Sequence, residues 1–154
     1  MFIEQPPLIY RLMFPGSLWR KKRASGKTVY LTFDDGPIPE ITPWVLDILD
    51  KYDVKATFFC VGENVVMNPE IYQMVLDRGH QVGNHTFNHL QGLKTPSKEY
   101  EKNVLLASTY IKSKLFRPPH GHFRLSQFLR LRKKFQIVLW DVVTRDYSKL
   151  MTPE

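Results

Sequence analysis

A single cysteine, Cys60, stands in 154 residues, so the chain can form no intrachain disulfide. It falls in Ala56-Thr57-Phe58-Phe59-Cys60-Val61, which reads as a buried strand where a free thiol packs as a small hydrophobe. Long apolar runs are missing too. None approaches the roughly eighteen residues that a membrane span needs, so no transmembrane segment is expected. The N-terminus lacks the layout of an export signal, because Glu4 and Arg11 interrupt its apolar residues and the basic cluster follows them. A cytoplasmic location is the default expectation, although the lone cysteine leaves the compartment open. Acidic residues are scarce, 15 against 22 Lys and Arg, which gives a net charge of +7. Much of the excess sits in Arg20-Lys21-Lys22-Arg23 and Arg130-Leu131-Arg132-Lys133-Lys134. No base-stacking or helix-turn-helix signature accompanies these clusters, so no nucleic-acid partner is expected. They read as solvated faces, with an anionic polymer or membrane surface as the sharper alternative.

What is present describes a folded domain: 43% hydrophobic and 13% aromatic residues, in a length that suits one core. Residues 1–27 form an N-terminal extension, Pro-containing and basic at its end. Its Leu8, Ile9, Leu12, Met13, Phe14, Leu18 and Trp19 are expected to pack on the outside of a domain spanning 28–154. From Thr28 onward strand and helix patterns alternate. Val29 to Phe33, Ala56 to Val61 and Gln136 to Trp140 read as strands, and Gln81-Val82-Gly83 leads out of a further one. Thr42-Pro43 reads as a helix N-cap with proline at the first helical position, before Val45, Ile48, Leu49 and Tyr52 at helical spacing. Asn68-Pro69-Glu70 and Thr95-Pro96-Ser97 open two more helices, and a short one is expected near 125–133. Alternation of this kind implies parallel βα units, compatible with an open doubly wound sheet or a barrel. Thr152-Pro153 repeats the helix-start signal at the last residues, which suggests that the natural protein continues.

Two motifs carry chemistry. Thr32-Phe33-Asp34-Asp35-Gly36-Pro37 puts paired carboxylates at the end of a strand, where parallel α/β folds place their sites. Read alone it could be a turn. Carboxylates so close resist both being charged unless a cation sits beside them. His85-Thr86-Phe87-Asn88-His89 supplies imidazoles four residues apart, which share one face if the segment is helical. Two His and one carboxylate with an open position suit a catalytic divalent ion, zinc first. His80 and His122 have no partner at ligand spacing and read as surface or structural. Arg117-Pro118-Pro119-His120-Gly121 adds a guanidinium that can hold a carboxylate ionised, on a loop stiffened by proline. Asp146-Tyr147, after Trp140-Asp141, is an aspartate-aromatic step that reads either as a sugar-binding wall or as a loop aspartate beside a packed ring.

In this order the motifs resemble the polysaccharide deacetylases with a NodB-homology domain, carbohydrate esterase family four, from about Thr28 to Tyr147. The resemblance implies α/β architecture, a distorted (β/α) barrel incomplete at its C-terminus, with the site on the C-terminal rim. It implies Asp34 as catalytic base, Asp35, His85 and His89 as metal ligands, and Arg117 orienting Asp34. Pro119 and His120 would line the substrate groove, with the His120 N–H helping to hold an oxyanion. Asp146 would tune a general-acid histidine, and Tyr147 would form another groove wall. The implied metal is zinc, with cobalt or nickel as alternatives, and the implied partner is an acetylated glycan, often of the cell wall. The family usually has tyrosine at the position of His120 and tryptophan at that of Tyr147. The late Leu-x-His segment bearing the acid has no counterpart, since no histidine follows His122. The expectation is therefore a metal-dependent deacetylase, weak in this chain. The alternative is a catalytically impaired, metal-containing glycan-binding domain. A metal phosphohydrolase would want more carboxylate ligands and phosphate-gripping loops.

Overall fold

In the computed structural model, residues 6, 8–21 and 27–144 are described. Short strands β1 (Thr32–Asp34), β2 (Thr57–Cys60), β3 (Gln81–Asn84), β4 (Leu115–Phe116) and β5 (Gln136–Ile137) form a five-stranded sheet in sequential order. Every pairing is parallel, for example Phe33 beside Phe58 and Phe58 beside Val82. Parallel neighbours need crossovers, and helices supply them. They are α2 (Ile41–Lys51), α3 (Gly62–Met67) with α4 (Pro69–Asp77), α5 (Ser97–Tyr110) and α6 (Leu125–Leu131). The α/β class with βα units is therefore correct. Because every strand runs the same way, all C-terminal strand ends share one rim.

The helices are set by their apolar stripes. On α5, Tyr100, Val104, Ala107 and Ile111 recur at i, i+4, i+7 and i+11, and all are fully buried. On α2 the inner face is Leu46 and Leu49; Tyr52, expected inside, is 67% exposed because the helix has ended there. Thr42 is not its N-cap. The helix opens at Ile41 after Glu40 (φ 65°), and the Thr42 hydroxyl instead accepts the Ile38 N–H at 2.8 Å. The short α3 carries too few apolar residues to announce itself in the sequence.

The extension does more than coat the domain. α1 (Leu8–Met13) leads into Phe14, which is 1% exposed and stacked on Phe123 with ring centroids 4.7 Å apart. Burial of such a ring contributes on the order of 2–3 kcal/mol. Leu18 then bridges Val138 in parallel: its N–H donates to Ile137 O at 2.8 Å and its carbonyl accepts the Leu139 N–H at 2.9 Å. Of the apolar residues of this segment, Leu8, Ile9 and Leu12 are exposed, whereas Phe14 joins the core and Leu18 hydrogen-bonds along the end of the sheet.

Candidate metal centre

Asp34 closes β1 and Asp35 begins the turn after it. Successive strand side chains point to opposite faces, so bringing both carboxylates to one rim needs a break in the strand. Asp35 provides it with φ 68°, a left-handed conformation that aspartate tolerates better than most residues. The turn is pinned from the next βα unit: Asn64 Nδ2 donates to Asp35 O at 2.7 Å, and the Val61 N–H to Gly36 O at 2.9 Å. The Gly36-Pro37 peptide is cis.

His85 extends β3 by one residue, its N–H donating to Cys60 O at 2.9 Å. The segment to His89 is not helical, contrary to expectation. Thr86 and His89 both have positive φ, 67° and 56°. The loop folds back because other groups satisfy its backbone. Asn84 Oδ1 takes the Thr86 N–H at 2.9 Å, Asn103 Oδ1 takes the Phe87 N–H at 2.8 Å, and Thr86 Oγ1 takes the Leu90 N–H at 3.2 Å. A curled loop thus brings the two imidazoles together, as a helix would have done.

Asp35, His85 and His89 offer one ligand atom each, all within 4.8 Å of one another. Asp35 Oδ1 lies 3.4 Å from His85 Nε2 and 3.0 Å from His89 Nε2. Donors on a tetrahedral zinc, with bonds of about 2.0–2.1 Å, stand roughly 3.3 Å apart, so the donor set fits such an ion. Proton placement agrees. His85 Nδ1 is 2.7 Å from Arg117 O, and a carbonyl can only accept, so Nδ1 carries a hydrogen and Nε2 is the nitrogen available to an ion. Hydrogen bonds from His85 and His89 hold the Asp35 carboxyl far below its usual range, and Asp35 in turn raises the His89 pKa.

Asp34 faces a different partner. Arg117 Nη1 donates to Asp34 Oδ1 at 2.7 Å and to Thr32 Oγ1 at 2.8 Å. The guanidinium is 3% exposed and lies over the Phe59 ring, 4.1 Å from its centroid, with Trp140 at 5.4 Å. Burial lowers the Arg117 pKa, and the charge of Asp34 opposes that shift. The pair leaves Asp34 29% exposed on the rim.

Pro119 is buried beside the site, and His120 is exposed at the rim (φ 57°), its ring centroid 4.8 Å from that of His89. Burial lowers the His120 pKa, and the neighbouring His89 adds to the effect. His122 is exposed and apart from the ligands. His80 is structural: it is buried and its Nδ1 accepts the Ala56 N–H at 3.2 Å. Cys60 is buried, which pushes its thiol up to about 12 and leaves it without chemistry. Asp146 and Tyr147 lie outside the described residues. Sequence reasoning missed Asn84, Asn103 and Asn64, for which no spacing signal exists. It also missed Thr32, which two-residue strand periodicity places on the face of Asp34.

Residues 21–138 match the family model described as polysaccharide deacetylase. The chain is 39% identical over 121 residues to a peptidoglycan-N-acetylglucosamine deacetylase of Bacillus cereus, covering 75% of this chain and 57% of that protein. It is 37% identical over 131 residues to a chitooligosaccharide deacetylase of a Bradyrhizobium species, covering 80% and 60%. A crystal structure of a peptidoglycan N-acetylglucosamine deacetylase in complex with 4-naphthalen-1-yl-N-oxidanyl-benzamide superposes with a TM-score of 0.78 at 31% identity, covering 86% of this chain and 64% of that one. The chain thus spans little more than half the length of the curated relatives cited here.

Proposed function

Because the chain belongs to the polysaccharide deacetylase family, we propose that it removes acetyl groups from N-acetylated amino sugars of a glycan with the help of a divalent metal, zinc by the chemistry of the donors. The observation that carries this reading is the division of labour between adjacent aspartates. Asp35 faces the Nε2 atoms of two imidazoles, while Asp34 faces a buried guanidinium. One suits a cation; the other suits a base.

When bound at Asp35, His85 and His89, the ion supplies Lewis acidity, polarising a carbonyl and making a water molecule easier to deprotonate. Asp34 accepts the proton of the attacking water. Arg117 keeps that carboxylate aimed, since its own position is fixed by Thr32, Phe59 and Trp140. The His120 N–H, on the proline-stiffened loop, is assigned to the oxygen that gains charge. Pro119 and His120 form the near wall of the groove, and Asp146 and Tyr147 keep the tuning and wall roles the family pattern gives them. The leaving amine needs a proton, and Asp34 can return the one it took from the water.

N-acetylglucosamine units in peptidoglycan or chitin-like oligomers are the proposed substrates, as the names of the relatives suggest. Acetate release from a chito-oligosaccharide, assayed with zinc and with a chelator, tests the reading. Asp34→Asn should retain the metal and abolish release; full activity in that variant would remove Asp34 from its role. Metal and glycan binding without any acetate would instead favour a binding domain.

A further inference from the structure

A cleft of about 190 Å³ opens beside the metal centre, lined by Gln91, Leu93, Lys94, Pro119, His120 and His122. It adjoins the centre through His120, whose ring touches that of His89. No carboxylate lines it.

The wall that carries Lys94 is a 3-10 turn, Gly92–Lys94, held unusually firmly for a surface loop. Gln127, fully buried in α6, donates to Gly92 O at 2.8 Å and to Thr95 O at 3.0 Å. Arg124 Nη2 donates to Leu93 O at 2.8 Å, and Thr95 Oγ1 to Gln91 O at 2.9 Å. Gly92 lets this turn press against the opposite wall, since a Cβ there would come within 2.8 Å of His122 O. The backbone is preorganised, yet the ammonium it presents has no partner. The Lys94 Nζ makes no hydrogen bond or ion pair among the described residues, although its backbone N–H donates to Gln91 O at 3.1 Å. Other cations here find carboxylates where one is in reach, as Arg11 and Arg20 do at Asp141 and Lys134 at Glu101.

We infer that this cleft is a subsite for a carboxylate carried by the sugar next to the acetylated one, and that Lys94 is the cation that reads it. The inference deepens the deacetylase reading and rests on it for the identity of the ligand as a glycan. A neutral chitin-like chain offers Lys94 hydrogen-bond acceptors but no charge to pair with. A peptidoglycan strand offers one, through the lactyl carboxylate of alternate sugars or the acids of its stem peptides.

The test compares kcat/KM of the zinc-loaded chain on three tetrasaccharides: neutral N-acetylchitotetraose, a peptidoglycan fragment with free lactyl carboxylates, and the same fragment bearing stem peptides. The acidic-to-neutral ratio should exceed one and fall about three- to fivefold in Lys94→Gln, the size of an exposed charge pair. Lys94→Arg should restore it, and 0.5 M salt should erase it. The fragment showing the larger ratio identifies which carboxylate is read. A ratio near one, or one that Lys94→Gln leaves unmoved, overturns the subsite while the deacetylase reading stands. If no glycan releases acetate, the same three are titrated by calorimetry. Lys94-dependent preference for an acidic one keeps the subsite and sinks the enzymatic reading; equal binding, or none, overturns the subsite too.

Discussion

The backbone carbonyl of Arg117 lies 2.7 Å from Nδ1 of His85, while the guanidinium of the same residue meets Asp34 at 2.7 Å. One residue therefore sets the proton position of a candidate metal ligand through its main chain and the placement of the proposed base through its side chain. Substitution separates the roles. Arg117→Lys keeps the carbonyl but loses the planar fork and the stacking between Phe59 and Trp140. The variant should bind zinc within about threefold of the parent, because the carbonyl is unchanged. Its stability should fall by about 2 kcal/mol, from a buried charge left imperfectly paired. Deacetylation should fall at least tenfold. Zinc titration, thermal unfolding and acetate release would read the three effects, and a large loss of zinc affinity would contradict the separation.

Acidity should govern the metal site in a defined direction. In the metal-free protein Asp35 titrates below its usual 3.8, so its stabilising contribution is present above that pH and lost as pH falls. His89 titrates above 6.5, so its contribution is whole below that pH and lost as pH rises through its folded value. Their pairing thus favours the metal-free fold between about 3.8 and 6.5. A metal needs His89 neutral, so affinity should rise roughly tenfold per pH unit until His89 has lost its proton. The gap in Tm between zinc-loaded and metal-free protein should widen from pH 6 to pH 8. A gap that stays flat would exclude His89 as a ligand.

The sequence offered an Asp-Asp step and a His-x-x-x-His pair as candidate ligands, and the structure sets Asp35, His85 and His89 together at the ends of β1 and β3. Their conformations were less legible. The four-residue histidine spacing matched a helix, yet Asn84 and Asn103 supply side-chain acceptors that replace helical carbonyls and let Thr86 and His89 take positive φ. That exchange depends on α5, distant in sequence, so no local pattern announces it. Phe14 likewise read as a coat residue, because its partners Phe123 and Phe128 come more than a hundred positions later. Parallel pairing was readable from alternation, whereas the sequential strand order was not, because a barrel and an open doubly wound sheet share that alternation.

Gly62 is fixed by contact, since a Cβ there would meet the Phe87 ring at 2.7 Å and the Phe87 and Ala107 Cα atoms at 3.1 and 3.2 Å. Gly62 also donates its N–H to Thr86 O at 2.9 Å, so any shift moves the loop between the histidines. Gly62→Ala should cost about 1–3 kcal/mol by overpacking and weaken zinc binding in the same variant. Loss of stability with unchanged zinc affinity would show that the loop relaxes independently of the ligands.

Asn84 tests whether the loop, and not the ligands alone, makes the metal site. It is fully buried, its Nδ2 donates to Val104 O and Ser108 Oγ at 2.9 Å each, and its Oδ1 accepts the Thr86 N–H. Asn84→Ala leaves the buried Thr86 N–H without its acceptor, while Ser108 Oγ still donates to Val104 O, and should cost about 1–3 kcal/mol. Asn84→Asp keeps an acceptor for Thr86 but loses the donor to α5 and adds a buried charge. If loop geometry controls the site, the two variants part company. Aspartate should keep zinc affinity closer to the parent despite comparable destabilisation, because the Thr86 turn survives. Alanine should lose roughly ten- to a hundredfold, the range for removing a group that orients a ligand. Equal losses in both, tracking stability, would mean that the fold as a whole and not the Thr86 turn sets the ligand geometry.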